Sequence, residues 1–274
     1  MNKSFARSML VVSLFALSAA CSQQEPPKVT EPKAESHDKG TKQIAVASKE
    51  ALETMRDQFA VVEMEADTSF LTDEEKAVVN KLNQVAVLLN EIYFRQRSEQ
   101  NPEWREKIVA SDIRNKDLVL DLFDLHFGPW DTLDHNKPFF GNTPMPEGAA
   151  FYPVDITKDE FENWIAEHPE DEDAFTSGYT VIRRDENGDL KAIPYSEHYR
   201  EWLEPAAQLM REAADMTSNA SLKRFLNLRA ESFLTDDYYE SEMAWMDLDG
   251  PIEVAIGPYE VYTDNLFGYK TAYE

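Results

Sequence analysis

Apolar residues recur at intervals of three and four along most of the chain, the spacing of one helix face. Leu52, Met55, Phe59 and Val62 predict a helix over 46–66. Thr72-Asp73-Glu74-Glu75 is a capping-box signature, and Val78, Val79, Leu82, Val85, Leu89, Ile92 and Tyr93 behind it form the stripe of a buried helix. Asn101-Pro102 opens a third helix, a cap followed by proline at the first position. A fourth covers 118–127 and stops at Gly128-Pro129. The stretch to Pro153, rich in glycine, proline and aromatics, predicts an ordered loop packed over a core. Thr157-Lys158-Asp159-Glu160 is a second capping box, heading a short helix with Phe161, Trp164 and Ile165. Residues 196–216 are amphipathic through Tyr199, Trp202, Leu203, Ala206, Leu209 and Met210, with Pro205 as a kink or tight start, and 222–234 form another helix.

The period changes to two in two places. Residues 179–184 and 190–194 flank Asp185-Glu186-Asn187-Gly188-Asp189, and Asn-Gly between β-rich runs signals a hairpin. Ile252, Val254 and Ile256 alternate until Gly257-Pro258, after which Tyr259-Glu260-Val261-Tyr262 resumes. In extended chain Glu260 and Tyr262 share a face. The expected fold is α+β and mainly helical, with a small mixed sheet built from the 178–194 hairpin and the 252–262 strand.

The amino terminus departs from this pattern. Lys3 and Arg7 precede an apolar run from Met9 to Leu17, and Leu17-Ser18-Ala19-Ala20-Cys21 reads as a small-residue cleavage site. The run is too short for a permanent membrane helix, so 1–20 are expected to be a lipoprotein signal peptide with Cys21 as the lipidated residue. Ser18 stands where a lipobox usually has leucine. Acyl chains add about 0.8 kcal/mol of membrane affinity per buried methylene. Residues 21–45, with Pro26, Pro27 and Pro32 and almost no large apolar side chain, predict a flexible tether ahead of a domain over 46–274. The expected location is the bacterial cell envelope, lipid-anchored and facing the periplasm or the exterior.

Charge narrows the partners. The 274 residues carry 52 Asp and Glu against 27 Lys and Arg, a formal net charge of −25. Such a surface repels nucleic acid, and it suits either plain solubility or ligands bearing an ammonium group. Hydrophobic residues at 42% and aromatics at 11% supply a core, which excludes a disordered acidic chain. The single cysteine excludes an internal disulfide and a thiolate metal site.

Several patterns offer chemistry and mostly fail on inspection. Asp185, Asn187 and Asp189 have EF-hand spacing, but the sixth position is Leu190 and the twelfth Ser196, so a turn is expected. His126 and His135 do not match a zinc spacing. The acids of 235–242 read as helix-start residues, with a divalent-cation site as the alternative. Glu260 beside Tyr262 could pair with an ammonium and donate a hydrogen bond, or be structural.

The runs 127–134 (FGPWDTLD), 175–190 (FTSGYTVIRRDENGDL), 234–248 (LTDDYYESEMAWMDL) and 256–270 (IGPYEVYTDNLFGYK) resemble bacterial members of the dipeptidyl peptidase III family of zinc metallopeptidases, over roughly the C-terminal two thirds of the chain. The resemblance implies two lobes around a cleft, removal of dipeptides from peptide N-termini, and zinc held by a His-Glu motif and a downstream Glu. It implies that Glu260 holds the substrate's ammonium and that Tyr262 hydrogen-bonds the reacting carbonyl. None of the five histidines, 37, 126, 135, 168 and 198, is followed by Glu, so neither form of the zinc motif occurs here. The expectation is therefore the N-terminal half of such an enzyme, binding peptide N-termini but no zinc and inactive alone. A non-catalytic peptide-binding or interaction lipoprotein, and an acidic structural lipoprotein, are the alternatives.

Overall fold

The computed structural model describes residues 44–63 and 65–274, which fall in one unit, Gln43–Glu274. The signal peptide, Cys21 and most of the expected tether lie outside the described residues. The last two tether residues belong to the fold, because the Ala45 carbonyl accepts the amide of Gly141 at 2.8 Å.

Three helices carry the larger core: α2 (Asp73–Arg97), α8 (Arg200–Met216) and α9 (Ala220–Thr235), with α8 packed on both others. Thr72 and Glu75 start α2 as the sequence predicts, each side chain accepting the other's backbone N–H, at 3.2 and 2.7 Å. Ala206, Ala207, Ala213 and Ala214 on α8 are fully buried, and such small side chains let neighbouring helices approach closely. Pro205 sits inside α8 without ending it. It is exposed, so the carbonyl that its missing N–H leaves free can face water.

A smaller core joins α1 (Lys49–Arg56), α3 (Asn101–Ala110) and α4 (Lys116–His126) through Leu52, Ile108, Val119, Leu122 and Phe123. The helix predicted over 46–66 is much shorter than expected. Beyond it Val61 and Val62 are 83% and 70% exposed, so that run has no surface to bury against and a β-branched pair does not hold a helix unaided. The remaining helices are short: α5 (Lys158–Glu167), α6 (Glu172–Thr176), α7 (Tyr195–His198) and α10 (Tyr239–Met246). Thr157 caps α5 by accepting Glu160 N at 3.1 Å, and the Glu160 carboxylate pairs with Arg184.

The fold is α+β and mainly helical, as expected, but its β structure is not one mixed sheet. Among the described residues it forms three antiparallel two-stranded pairs: β1 (Trp130–Asp131) with β2 (Lys137–Pro138), β3 (Thr180–Arg184) with β4 (Leu190–Pro194), and β5 (Pro258–Glu260) with β6 (Ala272–Tyr273). The predicted hairpin is β3–β4. Its Asp185 carboxylate accepts the amides of Asn187 and Asp189 at 2.8 and 3.0 Å, so the EF-hand-like residues build a turn. The segment 252–256 is not a strand. Val254 and Ile256 are buried, but the Ile256 carbonyl accepts Arg229 Nη1 at 3.1 Å in place of a ladder partner.

Candidate functional site

The stretch from Gly257 to Glu274 is a loop tied at both ends. Gly257 and Glu274 exchange both backbone hydrogen bonds, at 3.2 and 2.9 Å, and β5 pairs with β6 just inside them. Gly257 has φ +148°, and a Cβ there would lie 2.5 Å from Arg229 Nη1. Glycine is therefore required both for the backbone conformation and for the approach of the guanidinium. Arg229, fully buried on α9, also donates to Glu242 and lies 5.2–5.4 Å from the rings of Phe225, Tyr238 and Tyr259.

Two buried charges hold the middle of the loop. The Asp264 carboxylate accepts the Tyr152 hydroxyl at 2.8 Å and the amides of Leu266, Phe267, Tyr269 and Lys270 at 2.9–3.1 Å. Lys270 Nζ donates to the carbonyls of Phe175 and Ser177 and to Thr180 Oγ1, at 2.7–2.8 Å. Burial brings this amine down to about 7 against the opposing pull of Asp264. Gln96 on α2 then fixes β6, accepting Tyr273 N at 2.8 Å and donating to the Thr271 carbonyl at 3.2 Å.

Against this anchored background Glu260 and Tyr262 are exposed, Tyr262 by 68%. Glu260 closes β5, whereas Val261 and Tyr262 enter a turn in which the Val261 carbonyl accepts Asp264 N at 3.0 Å. The strand predicted to run through Tyr262 therefore ends two residues earlier, where the Val261–Asp264 turn begins. Slight desolvation of the mostly exposed ring, then the charges of Glu274 and Glu260, raise the Tyr262 phenol above its ordinary value, so Glu260 is near enough to act on it.

Three histidines have partners within the fold. His126 is buried, and its Nδ1 meets Thr132 Oγ1 at 2.8 Å and Thr132 N at 3.1 Å. His168 stacks on Trp164 at 4.1 Å, and His198 lies 3.3 Å from Glu99. In the acidic run 235–242, Asp236 is the left-handed C-cap of α9 and accepts Ser196 N, while Glu242 pairs with Arg229. Among the described residues no group of three or more His, Cys, Asp or Glu could hold a metal ion.

The anchors Arg229, Asp264 and Lys270 were not singled out from the sequence. Arg229 had a signal, since it sits on the buried stripe of Leu222, Phe225, Leu226 and Phe233 at helical spacing. Asp264 and Lys270 had none, because polar residues in a turn-rich stretch read as exposed.

No protein-family profile matches the chain. The structure of DPP III from Caldithrix abyssi is similar to it with a TM-score of 0.79 and 53% identity, covering 81% of this chain and 42% of that one. Dipeptidyl-peptidase III from Corallococcus sp. strain EGB gives a TM-score of 0.80 and 40% identity, over 83% of this chain and 43% of that one. A plant protein described as Nudix hydrolase 3, from Arabidopsis thaliana, is 31% identical over 275 residues, 82% of this chain and 36% of that protein. The chain thus spans less than half the length of each of these three proteins. The Nudix name belongs to a protein of which about two thirds lies outside the match, whereas the two solved structures agree in name, fold and higher identity. Within those bounds, the described residues have the fold of bacterial dipeptidyl peptidase III over part of its length, and this is the family that the chain's sequence resembles.

Proposed function

We propose that this chain supplies the peptide-reading wall of an exported dipeptidyl peptidase. The observation that carries the reading is the pair Glu260 and Tyr262, exposed on a loop anchored through Asp264, Lys270 and the paired ends Gly257 and Glu274. Glu260 pairs with the free ammonium of a peptide, and Tyr262 donates a hydrogen bond to the carbonyl that reacts. Hydrolysis through the family's zinc needs its His-Glu motif, which the sequence lacks, and among the described residues no group of three or more His, Cys, Asp or Glu could hold a metal ion. The chain is accordingly proposed to bind peptide N-termini without cleaving them by itself. A non-catalytic peptide-binding lipoprotein would use the same wall, and absence of hydrolysis would leave both readings standing on the binding step.

Calorimetry with tetra-alanine amide tests that step, since its C-terminus is blocked and its N-terminus can be left free or acetylated. The free amine is expected to bind, and Glu260→Gln to weaken it by roughly 10- to 100-fold, the loss of one charge-assisted hydrogen bond. Equal affinity for the acetylated peptide, or an unchanged Glu260→Gln, would overturn the assignment. Release of dipeptide from an arylamide substrate by this chain with zinc added would refute the claim that it does not cleave alone.

The membrane anchor is part of the same proposal and rests on the sequence of the first 21 residues. Lipid on Cys21 would hold the protein to the bacterial envelope. Labelled palmitate is expected to enter the chain and to be lost in Cys21→Ala; label retained in that variant would remove Cys21 from the proposal.

A further inference from the structure

Between α1 and α2 the chain passes through residues 57–72 without a helix or strand, and it is held at the two ends of that run. Phe59 meets the ring of His126 edge-on at 5.1 Å, and Leu71 is 9% exposed. Between these holds, residues 60–63 and 65–70 are all exposed. The backbone groups of 60–63 make no hydrogen bond to other described residues. Further along, Ser69 N donates to the Asp67 carboxylate at 2.9 Å and Leu71 N to the Thr68 carbonyl at 3.1 Å, a single turn ahead of α2. Connections of this length are uncommon in a compact domain, and exposed ones are where proteases cut.

An endopeptidase takes its substrate as an extended strand and reads side chains in pockets, so it needs several successive residues free of helix or ladder bonds. Val61, Val62 and Phe70 are 83%, 70% and 66% exposed in such a setting. Other exposed apolar side chains lack it. Val87, Val109, Leu125 and Met243 sit on α2, α3, α4 and α10. Leu133 lies in a tight turn whose amide donates to the Asp131 carboxylate at 2.9 Å, and Val154 follows the buried run Ala150, Phe151 and Tyr152. The sequence also selects the enzyme. Residues 57–72 contain neither Lys nor Arg, so only an enzyme that reads apolar side chains finds a target there.

The part upstream is lightly held. α1 buries one side chain fully, Leu52, with Val46 and Met55 partly buried beside it. Arg56 meets Asp121 at the surface, and Ala47 N donates to the Phe139 carbonyl at 2.9 Å. After the cost of ordering a freed segment, these contacts do not sustain a micromolar complex, so α1 stays docked because the chain connects it.

We infer that an endopeptidase selective for apolar side chains cuts this chain before Val61, Val62 or Phe70, and that the cut frees α1 and the residues ahead of it from the rest of the domain. Water adds across the amide, leaving a carboxylate on the upstream residue and an amine on the new N-terminus. Detachment from a membrane rests on the anchor proposed at Cys21, whereas the cut does not. Thermolysin, which cuts before apolar residues, is the probe, added sparingly to the 274-residue chain. Within residues 57–274 the first new N-termini are expected at Val61, Val62 or Phe70, by intact mass and terminal sequencing. Val61→Asp with Val62→Asp should slow the cuts at those two positions about tenfold or more, since a charge does not enter an apolar pocket, and leave the melting temperature unchanged. Leu89→Ala, which weakens the larger core, should leave the cutting rate unchanged, because no unfolding precedes the cut. The α1 piece should part from residues 71–274 on gel filtration at low micromolar concentration. A first cut elsewhere in 57–274, a rate that rises with Leu89→Ala, or an unaffected double Asp variant would overturn the site. Co-elution of the two pieces would overturn the release.

Discussion

Asp264 makes five hydrogen bonds from one side chain, four of them to backbone amides. Asparagine is nearly isosteric but offers one acceptor oxygen, and its NH2 would face donors. Asp264→Asn is expected to cost about 2–4 kcal/mol of stability, within the range for breaking a buried polar network, measured as a lower urea midpoint at unchanged m-value. Glu99 gives a pH-dependent counterpart. Burial raises its carboxyl, but hydrogen bonding to His198 and the charge of Arg183 outweigh burial and hold it at about 2. A carboxyl held below its unfolded value stabilises the fold above that unfolded value and loses its contribution as pH falls towards the folded one. The stability gap between wild type and Glu99→Gln is therefore expected to be full near neutrality and to close between about pH 4.5 and about pH 2. A gap that widened on acidification would contradict the pairing.

At the scale of elements, what could be read in the sequence depended on how local the determinant was. The start of α2 was legible because Thr72 and Glu75 act on each other within one turn. Its cap is expected to be worth about 1 kcal/mol, so Thr72→Ala should lower the thermal midpoint while leaving the peptide-binding affinity unchanged. The β3–β4 hairpin was legible for the same reason, its turn being built by Asp185, Asn187 and Gly188. The 252–256 segment misled because its alternation is real and its apolar residues are buried, while Arg229, more than twenty residues earlier in the chain, takes the carbonyl that a neighbouring strand would have used. The turn that follows Glu260 was not legible, since it is closed by Asp264 N donating to the Val261 carbonyl and Asp264 is held by the distant Tyr152.

On the whole molecule, the two cores and the formal charge of −25 pull in opposite directions. Like charges spread over one surface oppose compactness, and salt screens them over a Debye length that shrinks from about 30 Å at 0.01 M to about 8 Å at 0.15 M. Raising the salt across that interval is expected to raise the melting temperature, by calorimetry at pH 7. A flat or falling trend would mean that the ion pairs joining distant segments, such as Lys81 with Glu212 and Arg211 with Glu231, contribute more than the excess charge costs.

The mutual hydrogen bonds of Gly257 and Glu274 have a practical consequence for anything joined to residue 274. They fix the point of departure three residues before Glu260, close enough for the Glu274 charge to act on the Tyr262 phenol. A segment appended there is delivered to the exposed pair as an intramolecular neighbour, at an effective concentration that short flexible linkers set in the millimolar range. A segment joined after Glu274 is fused through its own N-terminus and so brings no free α-ammonium to Glu260. A tag placed there is therefore a nearby chain without the recognised group, and tagged and untagged protein are expected to bind the free-amine peptide alike.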